Sequence, residues 1–174
     1  NDNGIVLHRF RYFFPRHLQK LAYGSGILPN LKENPWLFFQ VPLFFLSMLF
    51  SSTQTIRKIK PSLLHAHWVF PQGFFGVLLG KLFKIPVIIT SHGSDTFGLQ
   101  SIPLKILKRW SIKHCIAWTS NSAATANALG SALPKAHIIP MGIGIDMFRP
   151  ENNDKLNYEK PPNTYIVIFV GRLY

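Results

Sequence analysis

Four short apolar runs, separated by stretches with helical character, constrain the fold of this chain more than any other feature. The runs begin near residues 63, 86, 115 and 137, and residues 86–90 are continuously apolar, as in buried parallel strands. Residues 42–59 carry apolar side chains at helical spacing, and residues 73–83 and 101–113 are also predicted helices. Strands that alternate with helices form βαβ units. The sequence therefore predicts an α/β fold, a Rossmann-like parallel sheet with helices on both faces.

The charge is distributed unevenly along the chain. Its 174 residues hold nineteen Lys and Arg against seven Asp and Glu, a net charge of +12. The whole excess lies in residues 1–145, which contain fifteen basic residues and three acidic ones. Such an excess is typical of proteins that meet phosphate in a nucleic acid, an anionic lipid or a phosphorylated small molecule. A content of 47% hydrophobic residues excludes a disordered tail.

Residues 36–50 are the best candidate for contact with a membrane. Fifteen residues span about 22 Å as a helix, less than the hydrocarbon core of about 30 Å, and Pro42 lies in the middle of the stretch. We therefore interpret it as a buried core helix, with a helix lying in the plane of a membrane surface as the alternative. The single cysteine, Cys115, excludes an internal disulfide framework and is interpreted as a small buried hydrophobe.

Polar residues follow each predicted strand at its carboxyl end. The first run contains His65 and His67, Ser-His-Gly-Ser-Asp at 91–95 follows the second, Thr-Ser-Asn at 119–121 the third, and Met-Gly-Ile-Gly at 141–144 the fourth. Ligands of open parallel sheets bind at this edge, so the sequence predicts one ligand-binding rim. The two histidines share a face of their strand, but no third metal ligand is evident, and we expect no metal site.

Several of these positions allow two interpretations. Asp95 either orients His92, or binds hydroxyl groups of a ligand, or caps the next helix. The backbone N–H of Gly73 either faces an anion or only permits a turn. His65 is expected in the core and His67 at the ligand cleft. Ser120 or Asn121 is expected to cap the helix that follows the third strand.

The motifs, taken in order, resemble those of glycosyltransferase family 4. They are His-Ala-His-Trp at 65–68, Pro-Gln-Gly at 71–73, the run 86–95, Ser-Asn at 120–121, residues 140–150 and Val-Gly-Arg-Leu at 170–173. The resemblance implies a retaining, nucleotide-sugar-dependent enzyme of the GT-B fold, in which two Rossmann-like domains flank the active site. It implies no cofactor and no metal, because the nucleotide sugar is a substrate.

The resemblance also implies a division of the chain. Residues 1–145 would form the N-terminal acceptor domain, truncated so that it lacks the family's first strand and glycine-rich loop. Residues 146–164 would be the interdomain linker, with Gly142 and Gly144 as its hinge. Residues 165–174 would be the first strand of the C-terminal nucleotide-sugar-binding domain. We therefore expect the 174-residue fragment alone to be inactive.

Roles for single residues follow from the same resemblance. His92 is expected to contact the donor sugar and is the catalytic candidate. Arg172 is expected to grip the donor diphosphate, for which a guanidinium offers bidentate hydrogen bonds. The other candidates for substrate binding are His67, Gly73, Gly93, Asp95 and Asn121.

The expected function is transfer of a hexosyl or other glycosyl unit from a nucleoside diphosphate sugar to a glycan or lipid-linked acceptor, in cell-envelope polysaccharide or glycolipid synthesis. The expected location is cytoplasmic, with peripheral binding to the anionic inner face of the cell membrane as an option. Alternatives are a basic nucleic-acid-binding module and a purely structural partner domain. Single-strand binders interleave aromatic and basic residues on exposed strands, whereas the Phe residues here fall in apolar runs, so we expect no nucleic-acid partner.

Overall fold

A computed structural model describes residues 4–24, 26–98, 100–130, 132–145 and 162–165. The chain divides into two compact units, Asn1–Pro140 and Met141–Tyr174. Most of the predicted linker, Arg172 and all of the predicted last strand except Tyr165 lie outside the described residues. The predicted domain boundary near residue 145 stays a prediction.

The first unit is built around a four-stranded parallel sheet. Its strands are β1 (Leu64–His67), β2 (Val87–Ser91), β3 (Ala117–Ser120) and β4 (His137–Ile138), and they lie side by side in that order. The register places Ala66 beside Ile89, and Ile89 beside Trp118. The predicted α/β, Rossmann-like parallel sheet is confirmed, and each strand begins within two residues of its predicted start.

Six α-helices are present among the described residues. Helices α1 (Ile27–Glu33) and α2 (Gln40–Ile59) precede β1, and α3 (Phe74–Phe83) joins β1 to β2. Helices α4 (Ser94–Phe97) and α5 (Ile102–His114) join β2 to β3, and α6 (Ala123–Ala128) leads to β4. Short helical turns lie at Arg16–Leu18, Pro35–Phe39 and Val69–Gly73.

The two faces of the sheet differ in character, because successive side chains of a strand point to opposite sides. Val87, Ile89 and Trp118 are buried on one face, where they form the main core with side chains of α3, α5 and α6. On the other face His65 is exposed and Thr90 is half-buried. The described helices that contribute to the main core therefore pack on the apolar face, and the polar face carries hydroxyl and imidazole groups.

Helix α2 and the turn before it are apolar on two sides. One side consists of Leu37, Phe44 and Met48, and it is buried in a second core together with Tyr12 and Leu21. The other side is exposed and consists of Trp36, Phe39, Leu46 and Phe50. By length and composition alone, Pro35–Ile59 is long and apolar enough to cross a membrane. The interpretation of residues 36–50 as a buried core helix therefore holds for one side only.

The sulfur of Cys115 packs beside the main core. The residue is half-buried, and its Sγ donates a hydrogen bond to the carbonyl oxygen of Ile112 at 3.2 Å. Burial raises the pKa of the thiol to about 11, so the group stays protonated near neutral pH. Cys115 thus packs as a small, half-buried side chain against the main core, where the sequence predicts a buried one.

The cap of α6 differs from the sequence-based expectation. Ser122, rather than Ser120 or Asn121, accepts the N–H of Thr125 at 3.1 Å through its hydroxyl. Ser120 instead donates to the carbonyl oxygen of Ser122 at 3.1 Å. The side chain of Asn121 is therefore not used as a cap.

Three glycines bring α3 close to the sheet. A Cβ added to Gly80 would overlap the side chain of Val87 and lie 2.8 Å from the carbonyl oxygen of Ile85. A Cβ added to Gly73 would lie 3.1 Å from the side chain of Ile89. At Gly76 the same atom would lie 3.4 Å from Ala66, an ordinary contact. The separation between helix and sheet is therefore limited most strictly at Gly80.

Replacing Gly80 and Gly76 by alanine separates close packing from helix propensity. We expect Gly80→Ala to lower the free energy of unfolding by about 1–3 kcal/mol, because the helix must move off Val87. We expect Gly76→Ala to be neutral or stabilising by up to about 1 kcal/mol, since alanine favours the helix and the site has room. Urea unfolding measures the free energy of unfolding of both variants. An equal change in the two would contradict the close packing of α3 on the sheet at Gly80.

Candidate functional site

The carboxylate of Asp95 joins the segments that follow β1 and β2. The residue is 3% exposed. Its Oδ2 accepts the backbone N–H of Val69 at 2.6 Å, and its Oδ1 accepts that of His92 at 3.1 Å. Hydrogen bonds to a charged acceptor are stronger than neutral ones. Of the interpretations of Asp95, the structure favours the one in which it orients His92, and it does so through the backbone.

A sharp turn at Trp68 directs the N–H of Val69 toward that carboxylate. Trp68 has φ +69°, in a region that non-glycine residues rarely occupy and that costs about 1–3 kcal/mol. Its N–H donates to the carbonyl oxygen of Thr90 at 2.8 Å, and its own carbonyl accepts the N–H of Gly73 at 2.9 Å. These bonds and the one to Asp95 hold the strained residue in place.

Lys108 of α5 lies behind Asp95 and is 1% exposed. Its Nζ donates to the carbonyl oxygen of Thr96 at 3.3 Å. Burial lowers the pKa of Lys108 from its usual value, while the negative charge of Asp95 acts in the opposite direction. The sequence interpretation of a basic helix does not distinguish Lys108 from exposed Lys105. Helical spacing does not distinguish the two lysines either, because Lys105 and Lys108 both lie on the helix face of the buried Ile112.

His92 is fixed at its backbone and at its ring. Its carbonyl oxygen accepts a hydrogen bond from Nδ2 of Asn121 at 3.4 Å, in addition to the bond from its N–H to Asp95. Its Nε2 lies 2.8 Å from Nδ1 of His67, and the ring of Trp68 lies 5.3 Å from its own. The structure therefore brings together four predicted site residues: His67, His92, Asp95 and Asn121.

His67 is supported by its own strand. Its ring centre lies 4.5 Å from that of His65, and Nε2 of His65 lies 2.7 Å from Oγ1 of Thr90. Burial is the main cause that lowers the pKa of His67, followed by the charges of His65 and His92. This shift favours the neutral form of the His67 ring. His65, expected in the core, is exposed on the polar face.

Nothing in the described part of the chain forms a metal-binding group of three or more His, Cys, Asp or Glu side chains. His65, His67 and His92 are instead occupied with one another and with hydroxyl groups. This arrangement positions imidazole nitrogens and a buried carboxylate for hydrogen bonding.

The glycines of the site have different roles. Gly93 has φ +93°, which favours glycine, and its carbonyl accepts the N–H groups of Thr96 and Phe97 in α4. The N–H of Gly73 is bonded to Trp68, so the structure favours its interpretation as a turn residue over that of an anion contact. Gly142 and Gly144 are exposed in the second unit, and their hinge role stays a prediction.

Comparison with known proteins gives a consistent result. Residues 7–146 match the sequence profile of Glycosyltransferase Family 4. The chain is 25% identical over 130 residues to TuaC of Bacillus subtilis (strain 168), provisionally named a teichuronic acid biosynthesis glycosyltransferase. It is 49% identical over 39 residues to MJ1178 of Methanocaldococcus jannaschii, an uncharacterized glycosyltransferase. These matches cover 70% and 22% of the chain, but only 33% and 11% of the relatives.

The coupling between Asp95 and Lys108 can be measured with a double-mutant cycle. We expect Asp95→Asn to lower the free energy of unfolding by about 2–4 kcal/mol, because one N–H loses its acceptor and Lys108 loses a counter-charge. We expect Lys108→Met to lower the free energy of unfolding by a similar amount. The loss in the double variant should be smaller than the sum of the two single losses by about 1 kcal/mol or more.

Urea unfolding measures all three variants. Lys105→Met, at an exposed position of the same helix, is the control and should change the free energy of unfolding by no more than about 0.5 kcal/mol. Additive losses in the double variant would show that the two charges do not interact.

The lowered pKa of His67 gives a pH dependence of stability. The unfolded chain protonates this histidine near pH 6.5, whereas the folded chain resists protonation to a lower pH. The contribution of the neutral His67 ring to the stability of the fold is therefore complete above about pH 6.5, and it is lost as the pH falls below that value. We expect Tm to fall from pH 7 to pH 5, and to fall less in His67→Phe. An equal fall in both proteins would contradict this assignment.

Proposed function

The chain belongs to glycosyltransferase family 4, and from this premise we propose that it transfers a glycosyl unit from a nucleoside diphosphate sugar to an acceptor hydroxyl, with retention of the anomeric configuration. The observation that carries the proposal is the placement of His92. It stands at the carboxyl edge of the sheet, in the part of the chain that matches the family, with its ring held by His67 and its backbone by Asp95 and Asn121.

The proposed reaction exchanges one bond at the anomeric carbon for another. The bond from this carbon to the diphosphate oxygen breaks, and the leaving nucleoside diphosphate takes the electron pair. A bond to the acceptor oxygen forms, and the hydroxyl proton is released. In this reaction His92 donates a hydrogen bond to, or accepts one from, the donor sugar, and Arg172 neutralises the diphosphate. The donor is a substrate, and we propose that no metal or other cofactor takes part.

We propose a glycan or lipid-linked acceptor in the synthesis of cell-envelope polysaccharide or glycolipid. The name of the Bacillus relative supports an envelope glycan by analogy. The net charge of +12 and the exposed apolar side of α2 support a peripheral location of the enzyme at the cytoplasmic face of an anionic membrane. The polar face of the sheet carries side chains such as His65, Thr90 and Thr119 where single-strand binders interleave Phe or Tyr with Lys or Arg, so we propose no nucleic-acid partner.

Sugar transfer by the complete gene product tests this proposal. The enzyme is incubated with labelled nucleotide sugars and with cell membranes as the acceptor source, in the presence of EDTA. We expect transfer to a glycan or lipid-linked product, and retention in the anomeric NMR signal of that product. We expect His92→Ala to lower kcat on the order of 100-fold.

His114→Ala is the matched control, because that imidazole bonds only locally to the carbonyl oxygen of Trp110 at 2.8 Å. It should retain wild-type turnover. The absence of transfer with every nucleotide sugar would contradict the proposed function, and wild-type turnover in His92→Ala would contradict the proposed site.

A further inference from the structure

The rings of His67 and His92 meet edge to edge. Their planes differ by 25°, their centres are 5.1 Å apart, and Nδ1 of His67 lies 2.8 Å from Nε2 of His92. Two imidazoles that stack face to face cannot bring ring nitrogens this close with their centres so far apart. The geometry is that of an N–H···N hydrogen bond, in which one ring donates and the other accepts.

This bond determines which edge of His92 is available to a ligand. Nε2 is occupied by His67, so Nδ1 is the ring nitrogen that remains for another partner. The ring of Trp68 lies 5.3 Å from that of His92 and is itself held by a bond from its Nε1 to Oγ of Ser94 at 3.2 Å. The hydrogen bond between His67 and Nε2 of His92, together with the neighbouring ring of Trp68, thus limits the orientation of the His92 ring.

The partner that holds His92 belongs to the sheet, whereas His92 itself lies in the segment after β2. His67 is the last residue of β1, and His65 packs beside it on the same face. His65 in turn is anchored through Thr90, whose Oγ1 lies 2.7 Å from Oγ1 of Thr119 on the next strand. Groups placed on strands are held more precisely than groups placed on loops.

We propose that His67 is a positioning residue that acts through His92: it fixes the ring orientation and tautomer of His92, so that Nδ1 faces the donor sugar. This inference rests on the proposed function of His92. It gives His67 a different role from the substrate contact that the sequence suggests, because its Nδ1 is already bonded to His92.

Imidazole ¹⁵N NMR tests the pairing without any need for activity. Three variants are compared: His67→Phe keeps a ring without nitrogens, His67→Asn places an amide where Nδ1 lies, and His67→Gln places its amide one atom farther out. We expect one fixed tautomer of His92 in the wild type and in His67→Asn. We expect a mixture of tautomers in His67→Phe and His67→Gln. Identical His92 spectra in the wild type and in His67→Phe would overturn the inference.

Kinetics of the complete gene product give the second readout. We expect His67→Phe and His67→Gln to lower kcat on the order of 10- to 100-fold, with the acceptor KM changed less than about twofold. His67→Asn should recover most of the rate. A raised acceptor KM with unchanged kcat in His67→Phe would overturn the inference and indicate direct acceptor contact. If the wild type transfers no sugar, the proposed function fails, and the NMR comparison still decides whether His67 positions His92.

Discussion

One buried carboxylate, that of Asp95, determines the geometry of the candidate site. A charge withdrawn from water must be compensated by hydrogen bonds or by an opposite charge. The carboxylate of Asp95 accepts hydrogen bonds from the N–H groups of Val69 and His92, which belong to the segments after two different strands. The positive charge of Lys108 lies near the same carboxylate. Because one side chain binds both segments, the position of one fixes that of the other. The pairing of His67 with His92 depends on this connection, since the two residues lie at the ends of neighbouring strands.

The fold supplies the conditions for that connection. Parallel strands bring their carboxyl ends to one edge, so residues 25 positions apart in the chain become neighbours. The close approach of α3, which Gly73 and Gly80 permit, keeps the segment after β1 against β2. The polar face of the sheet then holds His65, and through it the ring of His67. Packing on the apolar face and hydrogen bonding on the polar face thus serve the same site.

The sequence predicts the sheet and the gathering of polar residues at its edge, because apolar periodicity and strand order are local signals. It does not predict α1, in which Pro29 lies in the first turn, where a helix tolerates proline. It assigns the α6 cap to Ser120 or Asn121, and the choice of Ser122 depends on where β3 ends. The burial of Lys108 and the pairing of the histidines arise from tertiary contacts, which no local sequence pattern reveals.

Amide hydrogen exchange tests most directly whether Asp95 holds the two segments and thereby places His92. In the native chain the N–H groups of Val69 and His92 should exchange slowly and with similar protection. In Asp95→Asn both should exchange faster, while the N–H of Ile116, bonded to the carbonyl oxygen of Val87 at 2.9 Å, should lose less protection. Fast exchange of Val69 and His92 in the native chain, or unchanged exchange in the variant, would contradict this account.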